Sequence, residues 1–106
     1  MIKYELMPVY DGRKNFYGRA VVEESEGGYR TLYSYGVPVC TVDTVGDCGV
    51  PMFCLHDKWD YSATTLRHVK EFLRQMVGRR VPVSKAQLSE FDGGGYAFLY
   101  ELEKEW

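Results

Sequence analysis

The segment Ser62–Val77 constrains the fold more than any other stretch, because its large apolar residues recur at helical spacing along one stripe. Ser62 or Thr64 can cap the helix N-terminus, and Gly78 stands where a C-cap glycine belongs. Burial stabilises each large side chain by roughly 1.5–3 kcal/mol, far more than helix propensity supplies, so we expect this helix to pack on a sheet. The members of the stripe are Leu66, Val69, Phe72, Leu73, Met76 and Val77.

Short runs rich in β-branched and aromatic residues predict a sheet in the N-terminal half of the chain. The Ser25–Gly28 and Val45–Gly49 segments are typical of tight turns, and connections this short exclude parallel crossovers. Within Tyr29–Tyr35, the tyrosines alternate with residues such as Leu32, which predicts that the two sets lie on opposite faces. The predicted strands are residues 3–9, 16–24, 29–35, 37–42 and 50–55.

Two smaller elements are predicted after the main helix. Ser84 and Gln87 form a capping-box pair that opens a short helix at about residues 85–91. A glycine-rich turn follows, and the alternation at Tyr96–Leu102 predicts a C-terminal strand. We therefore predict a single α+β domain, residues 1–106, in which an antiparallel sheet of about five to six strands is packed by one main amphipathic helix, at about residues 62–77.

The composition is that of an ordinary globular domain. The chain has 106 residues, 45% of them hydrophobic, which is enough to bury one core without disulfides or metal. A net charge of −2 excludes a globally basic nucleic-acid binder. The three cysteines, an odd number, and the lack of a signal-like or membrane-length apolar run lead us to expect a reducing cytoplasm.

One segment is basic within this acidic protein. Residues 62–82 contain five Lys or Arg residues and one acidic residue. The spacing of Arg67, Lys70 and Arg74 predicts that they share the helix face opposite the apolar stripe. Arg79 and Arg80 extend the charge beyond the helix end, and such a row can bind phosphates. It can equally be a solvated face, because the helix macrodipole favours cations near the C-terminus.

Nine tyrosines and two tryptophans are many for a chain of this length. Sheets favour aromatic residues, so most are expected to be structural. One large helix covers only one face of a sheet, however, and some aromatic side chains should stay exposed and form a binding surface or a homodimer contact. Tyr10 and Tyr17 are candidates for exposure, and the candidate binding residues are Tyr33, Tyr35, Trp59 and Tyr61, together with the five basic residues.

No catalytic or cofactor motif stands out, so we expect no metal, no cofactor and no catalytic residue. Cys40, Cys48, Cys54 and His56 could form a zinc set, but no C-x-x-C knuckle is present. Cys40 and Cys54 lie in apolar runs, where free cysteine behaves as a small hydrophobe. A small enzyme or zinc protein that uses Cys48, Cys54 and His56 remains an alternative.

Two stretches carry a resemblance to a known group of proteins. They are MPVYDGRKNFYGRA at residues 7–20 and YSATTLRHVKEFLRQ at residues 61–75. Together they resemble a family of small uncharacterised proteins encoded in phages, plasmids and gut Firmicutes genomes, which typically end soon after a helix of the TTLRHxKEFLxQ type. The resemblance covers roughly a third of the chain and brings no known activity, cofactor or catalytic residue.

The genomic context of such proteins implies a class of function. Short proteins on mobile elements are often accessory factors that bind and block a host machine, and anti-CRISPR inhibitors are the best-known class. The resemblance therefore implies a non-enzymatic inhibitor in the bacterial cytoplasm, whose partner is a protein or nucleoprotein such as a CRISPR effector nuclease or its guide RNA. An RNA- or DNA-binding accessory protein that uses the basic helix is the alternative.

Overall fold

The structure is a computed structural model that describes residues 2–93 and 95–103, and it is built on one antiparallel sheet. The strands follow one another in chain order across the sheet. They are β1 (Ile2–Glu5), β2 (Ala20–Ser25), β3 (Tyr29–Ser34), β4 (Val37–Asp47), β5 (Val50–Leu55) and β6 (Ala97–Phe98). The helices are α1 (Ala63–Val77) and α2 (Lys85–Ser89), with 3₁₀ turns at Glu26–Gly28 and Leu99–Glu103. The α+β prediction is confirmed.

Helix α1 has the boundaries and the buried stripe that the sequence predicts. Ser62 Oγ accepts the backbone N–H of Thr65 at 3.1 Å, and Gly78 ends the helix with a left-handed φ of 92°. Val69, Phe72 and Leu73 are fully buried against the sheet. The other three members of the stripe, Leu66, Met76 and Val77, are partly buried against the same core.

The sheet presents one face to α1 and the other away from it. Leu32 and Ser34 on β3 are buried on the helix side, so Tyr33 between them lies on the opposite face, as the alternation predicts. Tyr35 and Gly36 form the two-residue turn between β3 and β4, and both have positive φ, of 53° and 79°. This is the geometry of a type I′ hairpin turn, and it holds the Tyr35 backbone in the left-handed region.

Four predicted boundaries of strands β1–β5 and helices α1–α2 differ from the structure by more than one residue. Strand β1 ends at Glu5 and β2 begins at Ala20, because residues 6–19 form a loop that crosses to α1. Strand β4 continues to Asp47, and α2 ends at Ser89.

The predicted C-terminal strand is present, but it is much shorter than the predicted range Tyr96–Leu102. Only Ala97–Phe98 pairs with β5, and a 3₁₀ turn follows. Leu99 and Leu102 are both buried, a spacing of three residues that a 3₁₀ turn satisfies and a strand does not. Among the described residues, no helix combines the length and the apolar character needed to cross a membrane.

Candidate anion-binding groove

The loop of residues 6–19 is fastened to α1 by a buried carboxylate. Glu71 is fully buried and accepts the backbone N–H groups of Val9 and Asp11, each at 2.8 Å. The N–H of Tyr10, between them, points at both carboxylate oxygens, at 3.1 and 3.3 Å. Successive N–H groups that converge in this way form an anion-binding concavity, and here the protein fills it with its own side chain.

Further contacts of α1 complete the attachment. Gln75, one turn after Glu71, donates from Nε2 to the Met7 carbonyl at 2.7 Å and also to the Glu71 carboxylate. Arg67 Nη1 donates to Asp11 Oδ1 at 3.4 Å and forms an ion pair with it. The two stretches that carry the family resemblance are therefore bound to each other in the structure, one as a loop and the other as the helix that holds it.

A groove runs between this loop and the exposed side of α1, and we call it the basic groove. Its volume is about 440 Å³. Arg67, Lys70 and Arg74 line it, as the helical spacing predicts, and Asp11 is the acidic residue of its lining. Tyr10, Gly12, Ala63 and Leu66 complete the lining. Three cations against one carboxylate give the groove a net positive charge in a protein whose overall charge is −2.

Lys70 is the groove cation whose charge is least neutralised by neighbouring groups. Within the described part of the chain its side chain makes no hydrogen bond and no ion pair. Partial burial lowers the pKa of Lys70 below its usual value, and the like charges of Arg74 and Arg67 lower it further. A nearby anion would offset both effects by stabilising the charged form of Lys70.

The predicted row of five cations is not continuous in the structure. Arg74 donates from Nε to the Val81 carbonyl at 2.9 Å, which fixes the chain after the helix, and the same residue lines the groove. Arg79 instead donates from Nη2 and Nε to the same oxygen of Glu103, Oε1, at 2.8 and 3.1 Å. Arg80 is exposed and, like Arg79, does not line the groove.

The aromatic candidates divide into exposed and buried residues. Tyr61 and Tyr35 are exposed, by 75% and 50%, and Tyr33 is half-buried on the sheet face away from α1. The expectation that Trp59 is available for binding is wrong, because only 1% of it is exposed. Trp59 lies in the loop that joins β5 to α1, and its side chain packs in the core.

A second cavity, which we call the tyrosine cleft, opens at the N-terminal end of α1. Its volume is about 480 Å³, and its walls are Tyr35, Tyr61, Val37 and Val39. The ammonium group of Lys58 lies 5.9 Å from the Tyr61 ring centre, and the Arg19 guanidinium lies 5.6 Å from that of Tyr35. The cleft therefore combines apolar and aromatic walls with cations beside both tyrosines.

A buried polar chain forms the floor of the tyrosine cleft. Ser34 Oγ donates to Thr65 Oγ1 at 3.2 Å and lies 2.8 Å from Nδ1 of His68. Because the Ser34 hydroxyl proton is directed at Thr65, the Ser34 oxygen accepts a hydrogen bond from the imidazole. Burial lowers the pKa of His68 to about 4, the Asp11 charge opposes this shift, and Arg13 and Arg67 reinforce it. A base with this pKa accepts protons weakly at neutral pH, so the pair has the properties of a structural contact rather than of a nucleophile and its base.

The cysteines do not assemble into a site. Cys40 lies on the α1 side of the sheet and pairs with Leu55 of β5. Cys54 precedes Leu55 in the same strand, so its side chain lies on the opposite face of the sheet. Cys48 is in the exposed turn after β4, and His56 Nε2 is engaged with Thr41 Oγ1 at 2.8 Å. Among residues 2–93 and 95–103, no three His, Cys, Asp or Glu side chains converge as metal ligands.

The three thiols should differ sharply in reactivity. Burial raises the pKa of Cys40 far above its usual range, whereas Cys48 is exposed. We expect a thiol reagent such as dithionitrobenzoate to label Cys48 at once and Cys40 only after unfolding in guanidinium. A Cys48→Ser variant serves as the control, since it should lose the fast phase alone. Rapid labelling of Cys40 in the native protein would contradict the described packing.

Sequence reasoning missed the residues that hold the groove together. Glu71 stands among charged residues of an amphipathic helix, and nothing in its spacing separates a buried carboxylate from a solvated one. His68 and Thr65 are likewise buried on polar flanks of the apolar stripe. The one available signal was the resemblance itself, because the helical stretch that carries it includes Thr65, His68, Glu71 and Gln75.

Comparison with known proteins gives a family but no characterised relative. A family model described as "Family of unknown function (DUF8033)" matches residues 4–90. No curated protein and no solved structure matches the chain. The matched range begins within β1 and ends just after α2, so it includes the walls of both the basic groove and the tyrosine cleft.

Proposed function

Since the chain belongs to the DUF8033 family of unknown function, we infer its role from its own geometry and propose a non-enzymatic binding protein that engages the phosphate groups of a nucleoprotein. The observation that carries the proposal is the basic groove, where Arg67, Lys70 and Arg74 line one cavity with a single acidic side chain. Phosphates are the anions that rows of Lys and Arg at this spacing commonly meet.

The architecture of the groove supports recognition of a large partner. Both of its walls are fixed, because the loop is held by Glu71 and the helix is packed on the sheet. A surface that is rigid before binding loses little conformational freedom on association. The weak basicity of His68 and the separation of the cysteines favour a binding role over catalysis.

We further propose that the partner is a host machine blocked by a protein from a mobile genetic element, of which a CRISPR effector nuclease with its guide RNA is the specific case to test. Such an inhibitor needs a complementary surface and no active site. This narrower proposal rests on the resemblance of residues 7–20 and 61–75 to proteins of phages and plasmids.

The proposal is tested by mixing the purified protein with a panel of CRISPR effector–guide complexes and measuring complex formation and DNA cleavage. We expect the Lys70→Glu variant to bind a responsive complex at least about tenfold more weakly, which corresponds to about 1.4 kcal/mol. The Lys85→Glu variant carries the same charge change on exposed α2, outside the groove, and should bind like the wild type.

Two outcomes separate the general proposal from the specific one. If no effector complex is bound but free RNA or DNA is, the chain is a nucleic-acid-binding accessory protein that uses the same groove. If neither nucleoproteins nor nucleic acids bind, or if Lys70→Glu and Lys85→Glu behave alike, the basic groove is a solvated face and the proposal fails.

A further inference from the structure

The tyrosine cleft has the chemistry of a site for a planar aromatic group. Two exposed tyrosines, Tyr35 and Tyr61, stand in its walls, and Val37 and Val39 supply the apolar surface between them. The cavity volume of about 480 Å³ lies within the range of about 300–1,000 Å³ that is typical of small-ligand sites. An unpaired nucleobase, with two π faces and a polar edge, is an occupant that matches these walls.

Tyr35 is held in place at a conformational cost. Its backbone is in the left-handed region, with φ of 53°, which is unfavourable for a bulky residue. Its N–H donates to the Arg19 carbonyl at 2.8 Å, and its ring packs 5.9 Å from the His68 ring. Strain of this kind persists where the surroundings fix a side chain in a required position, and here that position is the rim of the cleft.

The positive charges near the cleft favour a nucleobase, which carries phosphates, over an aromatic side chain of a protein partner. Arg19 lies over Tyr35 and Lys58 lies beside Tyr61, so cations adjoin both aromatic walls. The cleft and the basic groove also flank the same first turn of α1, since Ser62 and Thr65 line the former and Ala63 and Leu66 line the latter. A base in the cleft would therefore leave its phosphates on the side of the first turn where the basic groove begins.

We propose that the tyrosine cleft binds an unpaired base of a single-stranded nucleic acid whose phosphates follow the basic groove. The inference rests on the proposed binding of phosphates and adds the class of ligand. Tyr35 and Tyr61 stack on the base, whose edge lies toward the floor that Ser34 and Thr65 form.

The test is fluorescence anisotropy with labelled RNA and DNA oligonucleotides, each offered as a single strand and as a duplex of equal length. Stacking contributes about 1–3 kcal/mol per base, so Tyr61→Ala should weaken single-strand binding by about 5- to 150-fold. Tyr61→Phe should retain it. Tyr35→Asn should weaken it similarly without destabilising the fold, because asparagine tolerates the left-handed backbone. Tyr100→Ala, at an exposed tyrosine outside the cleft, is the matched control.

The outcomes distinguish the cleft from the groove. Weaker single-strand binding by both cleft variants, with normal thermal melting, supports the proposal. Equal binding of single strands and duplexes, unaffected by Tyr35→Asn and Tyr61→Ala, overturns it while leaving the phosphate-binding groove in place. A third outcome is that both variants abolish tight binding of a protein partner and leave nucleic-acid binding unchanged. This outcome also overturns the proposal and assigns the cleft to a side chain of that partner. Absence of nucleic-acid binding by the wild type overturns the proposal, and binding to an effector complex then decides separately whether the phosphate-binding groove stands.

Discussion

Replacement of Glu71 by alanine is expected to lower the free energy of unfolding by at least about 4 kcal/mol. The carboxylate accepts the N–H groups of Val9, Tyr10 and Asp11, and each hydrogen bond to a charged group is worth about 1.5–3 kcal/mol. The alanine variant leaves these donors without an acceptor and opens a cavity beside Gln75. A domain of this size is stable by only about 5–15 kcal/mol, so a loss of this size is a large fraction of the total.

The measurement is urea-induced unfolding followed by circular dichroism. Glu71→Gln should lose roughly half as much, because it keeps one acceptor oxygen but turns an NH₂ group toward the backbone donors. Glu26→Ala removes an exposed carboxylate from the 3₁₀ turn before β3 and should change stability by less than about 0.5 kcal/mol. A Glu71→Ala protein within 1 kcal/mol of the wild type would show that the loop is not held in the way described.

His68 is expected to make the protein sensitive to mild acid. Burial lowers its pKa from 6.5 to about 4, so the unfolded chain takes up a proton at higher pH than the folded protein does. Unfolding is therefore favoured progressively as the pH falls from about 6.5 to about 4, and at the lower end the loss attributable to His68 is about 3 kcal/mol. Above pH 6.5 both states are neutral at this residue, and its protonation no longer affects stability.

The pH dependence is measured as the free energy of unfolding of the wild type and of His68→Gln between pH 4 and pH 7.5. The variant should be less stable at pH 7, since it loses the contact with Ser34 and the edge-to-face packing on Phe16. The gap should narrow as the pH falls, because glutamine does not titrate. Parallel curves for the two proteins over the whole range would mean that His68 does not resist protonation in the folded state.

The main helix and most strands could be predicted because short-range physics determines them. Helical spacing of apolar residues, a Ser62 cap and a Gly78 stop define α1 independently of its neighbours. Strand β5 is likewise a short apolar run bounded by turn residues, and its predicted limits are those observed. The tyrosine alternation in β3 follows from the period of an extended chain.

What could not be predicted depends on long-range contacts. Residues 6–9 have strand-like composition, but Glu71, some sixty residues away in sequence, holds Val9 and the two residues after it in a loop. Residues 16–19 also have strand-like composition, yet the Gly18 N–H donates to the Glu5 side chain instead of pairing in the sheet. The arginines illustrate the same limit within the candidate site. Spacing predicts that Arg67, Lys70 and Arg74 share a face, yet only tertiary structure shows that Arg79 is engaged by Glu103. The burial of Trp59 also depends on how its loop closes over the core.

The salt dependence of binding tests most directly whether the cationic side of α1 is a phosphate-binding surface. The dissociation constant of a single-stranded oligonucleotide would be measured at several salt concentrations for the wild type and for Lys70→Gln. Each phosphate contact to a single strand contributes about −0.7 to the slope of log K against log salt, so up to three contacts give about −2. We expect the variant to lose about 0.7 of that slope. A slope near zero, or equal slopes for the two proteins, would contradict the account.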